Sequence, residues 1–274
     1  MLMQRPMLVS VSRPLFLMLI LASVSLLPAG TLLAAGPSGS LNEEIDRIFK
    51  SEINLLISAP VLQVDVLWAV QEMLEIKPDA ELSAALDSWK GYVRERDPFR
   101  PLLDRNAPRT TLPETPGKGS KRFFNYVLAS VGTPPERAVS FITMFLDSRE
   151  KGYLLTHQFL VLEWASRSGL NLPAPLMAKR KELLARIEQE QLKDNLFSDL
   201  YAERAAILLR FGKPEPSRAT AWVNKIISSR KPVGGWGEYT TVLVYDGENY
   251  TVKHNVNHTR ALALLALRSY RGAN

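Results

Sequence analysis

From residue 134 onward the sequence alternates between runs that carry a single apolar stripe and runs that are apolar all round. Ala219, Trp222, Val223, Ile226 and Ile227 recur with a helical period, with Arg218, Asn224 and Lys225 between them. Leu176, Leu183, Leu184 and Ile187 give the 174–193 run a comparable stripe among many charges. Helices of this kind bury one face and wet the other. By contrast, Ala261–Leu267 is apolar on every side, as are Phe159–Leu162 and much of Ala205–Leu209. Such helices must be enclosed by others. The order is outer 134–149, inner 153–168, outer 174–193, inner 196–211, outer 216–230 and inner 257–271. Aligning the inner helices sets His157, Leu200 and His258 at equivalent positions, in two near-equal steps once Thr240–Asn255 is treated as an insertion. A regular helix-pair period is a repeat. Buried helices ringed by half-buried ones predict an all-α fold, an α/α toroid, over 41–274. An open solenoid would leave both of its layers partly wet.

The first half continues the helical patterning, with helices predicted near 41–58, 60–76, 79–96 and 120–131. Between them, Asp97–Gly119 holds five prolines and mixed charge and reads as a loop draped over a surface. Within the insertion, Val242, Val244, Tyr250 and Val252 alternate around Asp246-Gly247, which predicts a β-hairpin over 240–255.

The N-terminus has the order of a secretory signal. Arg5 and Arg13 precede an apolar run from Pro14 to Leu27, and small residues follow at Ala34-Ala35-Gly36. Residues 1–36 are therefore expected to be a signal peptide, with 37–40 as linker, and the chain to be exported to a periplasm or beyond the cell. The alternative is an inner-membrane anchor, because apolar character persists from Leu15 to Ala35. A chain with no cysteine can form no disulfide, thiolate zinc site or iron–sulfur cluster. Its formal charge of +6 includes Arg5 and Arg13, and the other cations are dispersed. That distribution is poor evidence for nucleic acid, so no nucleic-acid partner is expected, and it suits a weak preference for anionic envelope polymers or lipid surfaces. A membrane partner is expected only if the N-terminal segment stays uncleaved.

"GGWGEY" at 234–239, followed by an inner helix beginning "NHTRALALLAL" at 257–267, is similar to the repeat seams of the terpenoid-cyclase and protein-prenyltransferase superfamily. The resemblance covers about residues 134–271 and implies the toroid fold. It does not extend to chemistry. The Asp-x-Asp-Asp acid of the triterpene cyclases is missing, as is the cysteine of the prenyltransferase zinc site, so neither activity is expected.

In a toroid the N-termini of inner helices line one open end, where free N–H groups and the helix dipole favour anions. Thr156, His157, Asp199, Glu203, Asn257, His258 and Arg260 are placed there, with Trp236, Glu238 and Tyr239 from the seam and Tyr245 from the hairpin. Each also has a structural role open to it. Thr156 and Asn257 can cap helices, Glu203 can be a paired charge, and Trp236 can wedge between helix pairs. A non-catalytic protein that binds an envelope polymer or an apolar ligand is favoured, with an enzyme as the alternative. The enzymatic candidate is Asn257, His258, Arg260 and Tyr239. Polysaccharide lyases built on α/α toroids resemble this set in neutralising a uronate carboxylate with Asn and His while a Tyr takes the C5 proton. A two-carboxylate glycosidase would draw on Asp199, Glu203 and Glu238. Metal binding by His157, His258 and an acid is set aside for want of close ligand spacing, so no metal and no cofactor are expected.

Overall fold

The structure, a computed structural model, describes residues 40–59, 62–93 and 97–273. The signal-like segment at 1–36 lies outside them. Helices account for most of the described chain: α1 (Leu41–Ile57), α2 (Val64–Ile76), α3 (Ala80–Tyr92), α4 (Gly119–Ala129), α5 (Pro135–Asp147), α6 (Gly152–Arg167), α7 (Ala174–Gln191), α8 (Asp199–Phe211), α9 (Pro216–Ser228) and α10 (Val256–Ala273). Each lies where its periodicity predicts. Their starts follow local chemistry. Ser40 and Glu43 close a reciprocal capping box on α1, and Asp79 and Ser198 cap α3 and α8. Proline occupies the first turn of α5, α7 and α9. The α10 cap is Asn255, whose Oδ1 accepts from the backbone N–H groups of Asn257 and His258. Asn257, a cap candidate from sequence, lies inside the helix.

The two helix kinds separate as their patterns require. Only Ala219, Trp222, Val223 and Ile226 of α9 are buried, whereas α10 is buried continuously from His258 to Ser269. The mostly buried helices α2, α10, α8 and α6 neighbour one another in that succession, and the half-buried α4 packs on α6. The half-buried α9 packs against α8 and α10, α7 against α6 and α8, and α5 against α4 and α6. One hydrophobic core runs through all of these helices.

Two small sheets interrupt the helices. The hairpin pairs β3 (Tyr239–Tyr245) with β4 (Glu248–His254) through Asp246 and Gly247, both at positive φ, as a two-residue type I′ turn requires. That turn sets Val242 opposite Thr251 and Thr241 opposite Val252. The four alternating residues of the sequence pattern therefore fall on two faces. Val242 and Val244 are exposed, while Leu243 and Tyr245 are buried with the inward face. The other sheet is a short parallel pairing of β1 (Thr110–Thr111) with β2 (Gly132–Thr133). It holds down the 97–118 segment, which Arg105 and Arg109 also tie to the backbone carbonyls of Arg167 and Ser168 at the end of α6. Positive side chains on the last carbonyls of a helix complement its dipole.

Far from the helix N-termini, Glu72 is buried between Arg167 and Arg210, with Glu75 joining both arginines. This cluster joins α2, α6 and α8.

Candidate functional site

The N-terminal halves of α2, α6 and α10 meet one face of the hairpin around a cavity of about 440 Å³. Its size suits a small molecule or one unit of a larger one. One wall is aromatic. Phe123 and Phe124 come from α4, Trp164 from α6, and Phe99 from the proline-rich segment. These rings contact edge to face, Phe99 with Phe124 at 6.1 Å and with Trp164 at 6.2 Å between centroids. The rest of the lining is polar, built from Asp65, Tyr153, His157, His254 and His258, with His157 edge to face against Phe123 and Trp164. All three histidines of the chain thus reach one cavity.

Hydrogen bonds organise that polar lining in depth. Asp199, fully buried at the start of α8, stands behind the imidazoles. His258 Nδ1 lies 2.9 Å from Asp199 Oδ1, and Thr259 Oγ1 donates to the same oxygen at 2.6 Å. His254 Nδ1 is 3.3 Å from Asp199 Oδ2, and His258 Nε2 is 3.4 Å from the half-buried Asp65 carboxylate. Burial alone would push the His258 imidazole down. The hydrogen bonds and charges of Asp199 and Asp65 outweigh it and hold His258 well above its usual 6.5. Burial works against both carboxylates too, but His258 pulls Asp65 and Asp199 below the usual range. Both acids sit in first helical turns, where the dipole acts in the same direction.

The neighbouring groups are neutral. Burial lowers His157 to about 4. Its Nδ1 faces the Tyr153 carbonyl at 2.9 Å, and a carbonyl only accepts, so the proton is on Nδ1 and Nε2 is free to accept. Burial raises Glu203 to about 8, with Thr156 working the other way. Its Oε1 has no hydrogen-bond partner among the described residues and stands 3.6 Å from His157, beyond hydrogen-bond reach. Burial and the charges of Glu203, Asp65 and Asp199 raise Tyr153 well above its usual 10.

None of the other sequence candidates lines the cavity. Arg260 donates through Nε to Glu52 at 2.9 Å and through Nη1 to Asn257 at 2.6 Å. Glu52, with no exposed surface, also accepts from Arg230 at 2.6 Å and from the Gly235 N–H at 2.8 Å. Asn257 and Arg260 are therefore held in a charge cluster that ties α1 to α10, with neither lining the cavity. Trp236 is 1% exposed and donates to the Ile226 carbonyl at 2.7 Å, filling the space between α9 and its neighbours. Tyr239 donates to the Trp236 carbonyl at 2.8 Å and rests on Phe197. Glu238 is exposed beside it. Tyr245 is buried against Phe123, directly behind the aromatic wall. Thr156 is buried and donates to the Tyr153 carbonyl.

Inner-helix alignment names His157 and His258, which line the cavity, and Asp199 and Glu203, which are buried behind them; Tyr153, Asp65 and His254 it does not name. The His254 signal was present in the sequence. It stands four residues before His258, but on a strand end, so the pair straddles two elements and escapes a search for helical pairs. Among the described residues, no helix is long and apolar enough to cross a membrane. No family model matches the sequence, and no curated protein or solved structure matches it.

Proposed function

We propose that this chain is an exported α/α-toroid protein that binds a neutral, apolar-faced ligand in the cavity at the N-terminal ends of its inner helices. The neighbour succession of mostly buried helices, with half-buried helices packed against them, supports the toroid. The cavity itself carries the functional reading, because aromatic rings line it together with buried, hydrogen-bonded polar groups. Such a site orients a ligand by its polar end and gains affinity from its apolar body. Two ionised carboxylates, Asp65 and Asp199, offset by one imidazolium, favour a neutral ligand over an anionic one. The ligand is either a small apolar molecule or a unit of an envelope polymer, and no nucleic acid is involved.

The uronate-lyase alternative has His258 in the cavity, with Tyr153 rather than Tyr239 as the nearby phenol. Surrounding anions weigh against it, since they disfavour both a substrate carboxylate and the tyrosinate that would abstract a proton.

N-phenyl-1-naphthylamine, a neutral apolar fluorophore, tests the binding reading. Saturable fluorescence enhancement is expected with the wild type and is lost in Val127→Trp, which fills the cavity. No enhancement, or enhancement that survives in a folded Val127→Trp protein, overturns it. A parallel screen of uronate polysaccharides, read by absorbance of the unsaturated product, decides the lyase alternative.

A further inference from the structure

We propose that Asp199, His254 and His258 bind one divalent transition-metal ion of the zinc type, with an open coordination position facing the cavity. One ligand atom from each of the three lies within 4.8 Å of the others, and all three residues are buried. Asp199 Oδ2 has no hydrogen-bond partner among the described residues, although the side chain is only 1% exposed. A buried carboxylate oxygen left bare is costly unless something occupies the space it faces. His254 Nδ1 stands 3.3 Å from that oxygen. Tetrahedral zinc, with bonds of about 2.0–2.1 Å, holds its ligand atoms about 3.3 Å apart.

The groups around the three residues are arranged as supports for metal ligands. Thr259 Oγ1 donates to Asp199 Oδ1 at 2.6 Å and leaves Oδ2 for the ion. Asp65 faces His258 Nε2 and so directs Nδ1 toward Asp199. A carboxylate behind a ligating imidazole fixes its tautomer and its orientation. Two imidazole nitrogens with one carboxylate oxygen suit zinc and its first-row neighbours, and suit magnesium or calcium poorly, since those take oxygen ligands. Three protein ligands leave a fourth position vacant. His254 and His258 both line the cavity, so that position opens into it. The site adjoins the cavity of the proposed function but does not rest on it, because the ion is held by the protein alone.

The test uses tag-free full-length protein freed of metal with a chelator. Zinc chloride is titrated by calorimetry, and cobalt chloride by visible absorption. One zinc per chain is expected, together with cobalt ligand-field bands that zinc displaces. His254→Gln and Asp199→Asn abolish both signals, Asp65→Asn weakens affinity about 10- to 100-fold, and His157→Gln leaves binding intact. Should Asp199→Asn fail to fold, the wild-type cobalt spectrum and His254→Gln, at the end of a strand, still decide. Absence of saturable binding at one equivalent, or binding unchanged in folded His254→Gln, overturns the proposal and leaves the cluster held by protons alone. Either result stands whether or not the naphthylamine probe binds.

Discussion

Glu203 and His157 lie side by side, and both are neutral around pH 7, yet they load the fold in opposite directions with pH. The folded pKa of Glu203, about 8, lies above its usual 4.5. In the interval between, the native state binds more protons than the unfolded chain, so stability falls as pH rises from about 4.5 through 8. Glu203→Gln removes this slope. Thermal melts of the variant are expected to gain on wild type progressively from pH 5 to pH 8.5. For His157 the folded pKa of about 4 lies below its usual 6.5, so its contribution is complete above 6.5 and is lost as pH falls toward 4. His157→Gln is expected to resist melting better than wild type at pH 4.5, relative to their difference at pH 7.5. Both residues were legible from sequence through the helix alignment, but their neutral states were not. Burial sets those states, and only packing reveals burial. Asp65 was illegible for another reason. It belongs to α2, outside the stretch where the repeat could be aligned, and reaches His258 only because α2 packs on α10.

At the scale of elements, the seam before the hairpin is a load point between helices. Gly235 has φ +69°, a conformation that costs an L side chain about 1–2 kcal/mol. A Cβ there would also stand 3.1 Å from the Arg260 guanidinium, which its own N–H helps Glu52 to hold. Gly235→Ala is expected to destabilise by more than the backbone term alone, as read by denaturant unfolding. Trp236→Ala in the same loop should cost about 3–5 kcal/mol through the cavity it leaves. The hairpin is secured at its other end. Asp246, in the turn, accepts from the Gly119 N–H at 2.8 Å and from Arg122 at 3.0 Å. Asp246→Ala is expected to speed amide hydrogen exchange in β3 and β4 while leaving α8 and α10 protected. Periodicity made the helices and the hairpin legible, since apolar spacing follows burial directly. It could not show that the proline-rich segment supplies Phe99 to the cavity, because a segment without a period carries no signal of which side chain turns inward.

For the whole molecule, stability rests on an apolar core crossed by two buried charge clusters, Glu72 with Arg167 and Arg210, and Glu52 with Arg230 and Arg260. Removing Glu72 leaves Arg167 and Arg210 to the half-exposed Glu75 alone, so Glu72→Ala is expected to destabilise in chemical denaturation, by less than the ~3–5 kcal/mol of a fully stranded buried charge. Alternation of helix kinds was enough to tell helices buried on most sides from those buried on one face, as in α10 and α9, but the clusters draw partners from helices far apart in sequence, a relation no local pattern records. That distance also has a kinetic meaning. Glu52 meets Arg260 and the Lys77 carbonyl meets Arg268 across most of the described chain. Because α10 packs on α1, α2 and α8 together, the preceding helices leave an oily trough uncovered until it arrives. Loop-closure entropy must be met before these remote contacts repay it, so docking of α10 is expected to be the slow step of folding, read by stopped-flow refolding. Any chain in which α10 has yet to dock would leave that trough open and sticky, and a chaperone that shields it is expected to raise the folding yield.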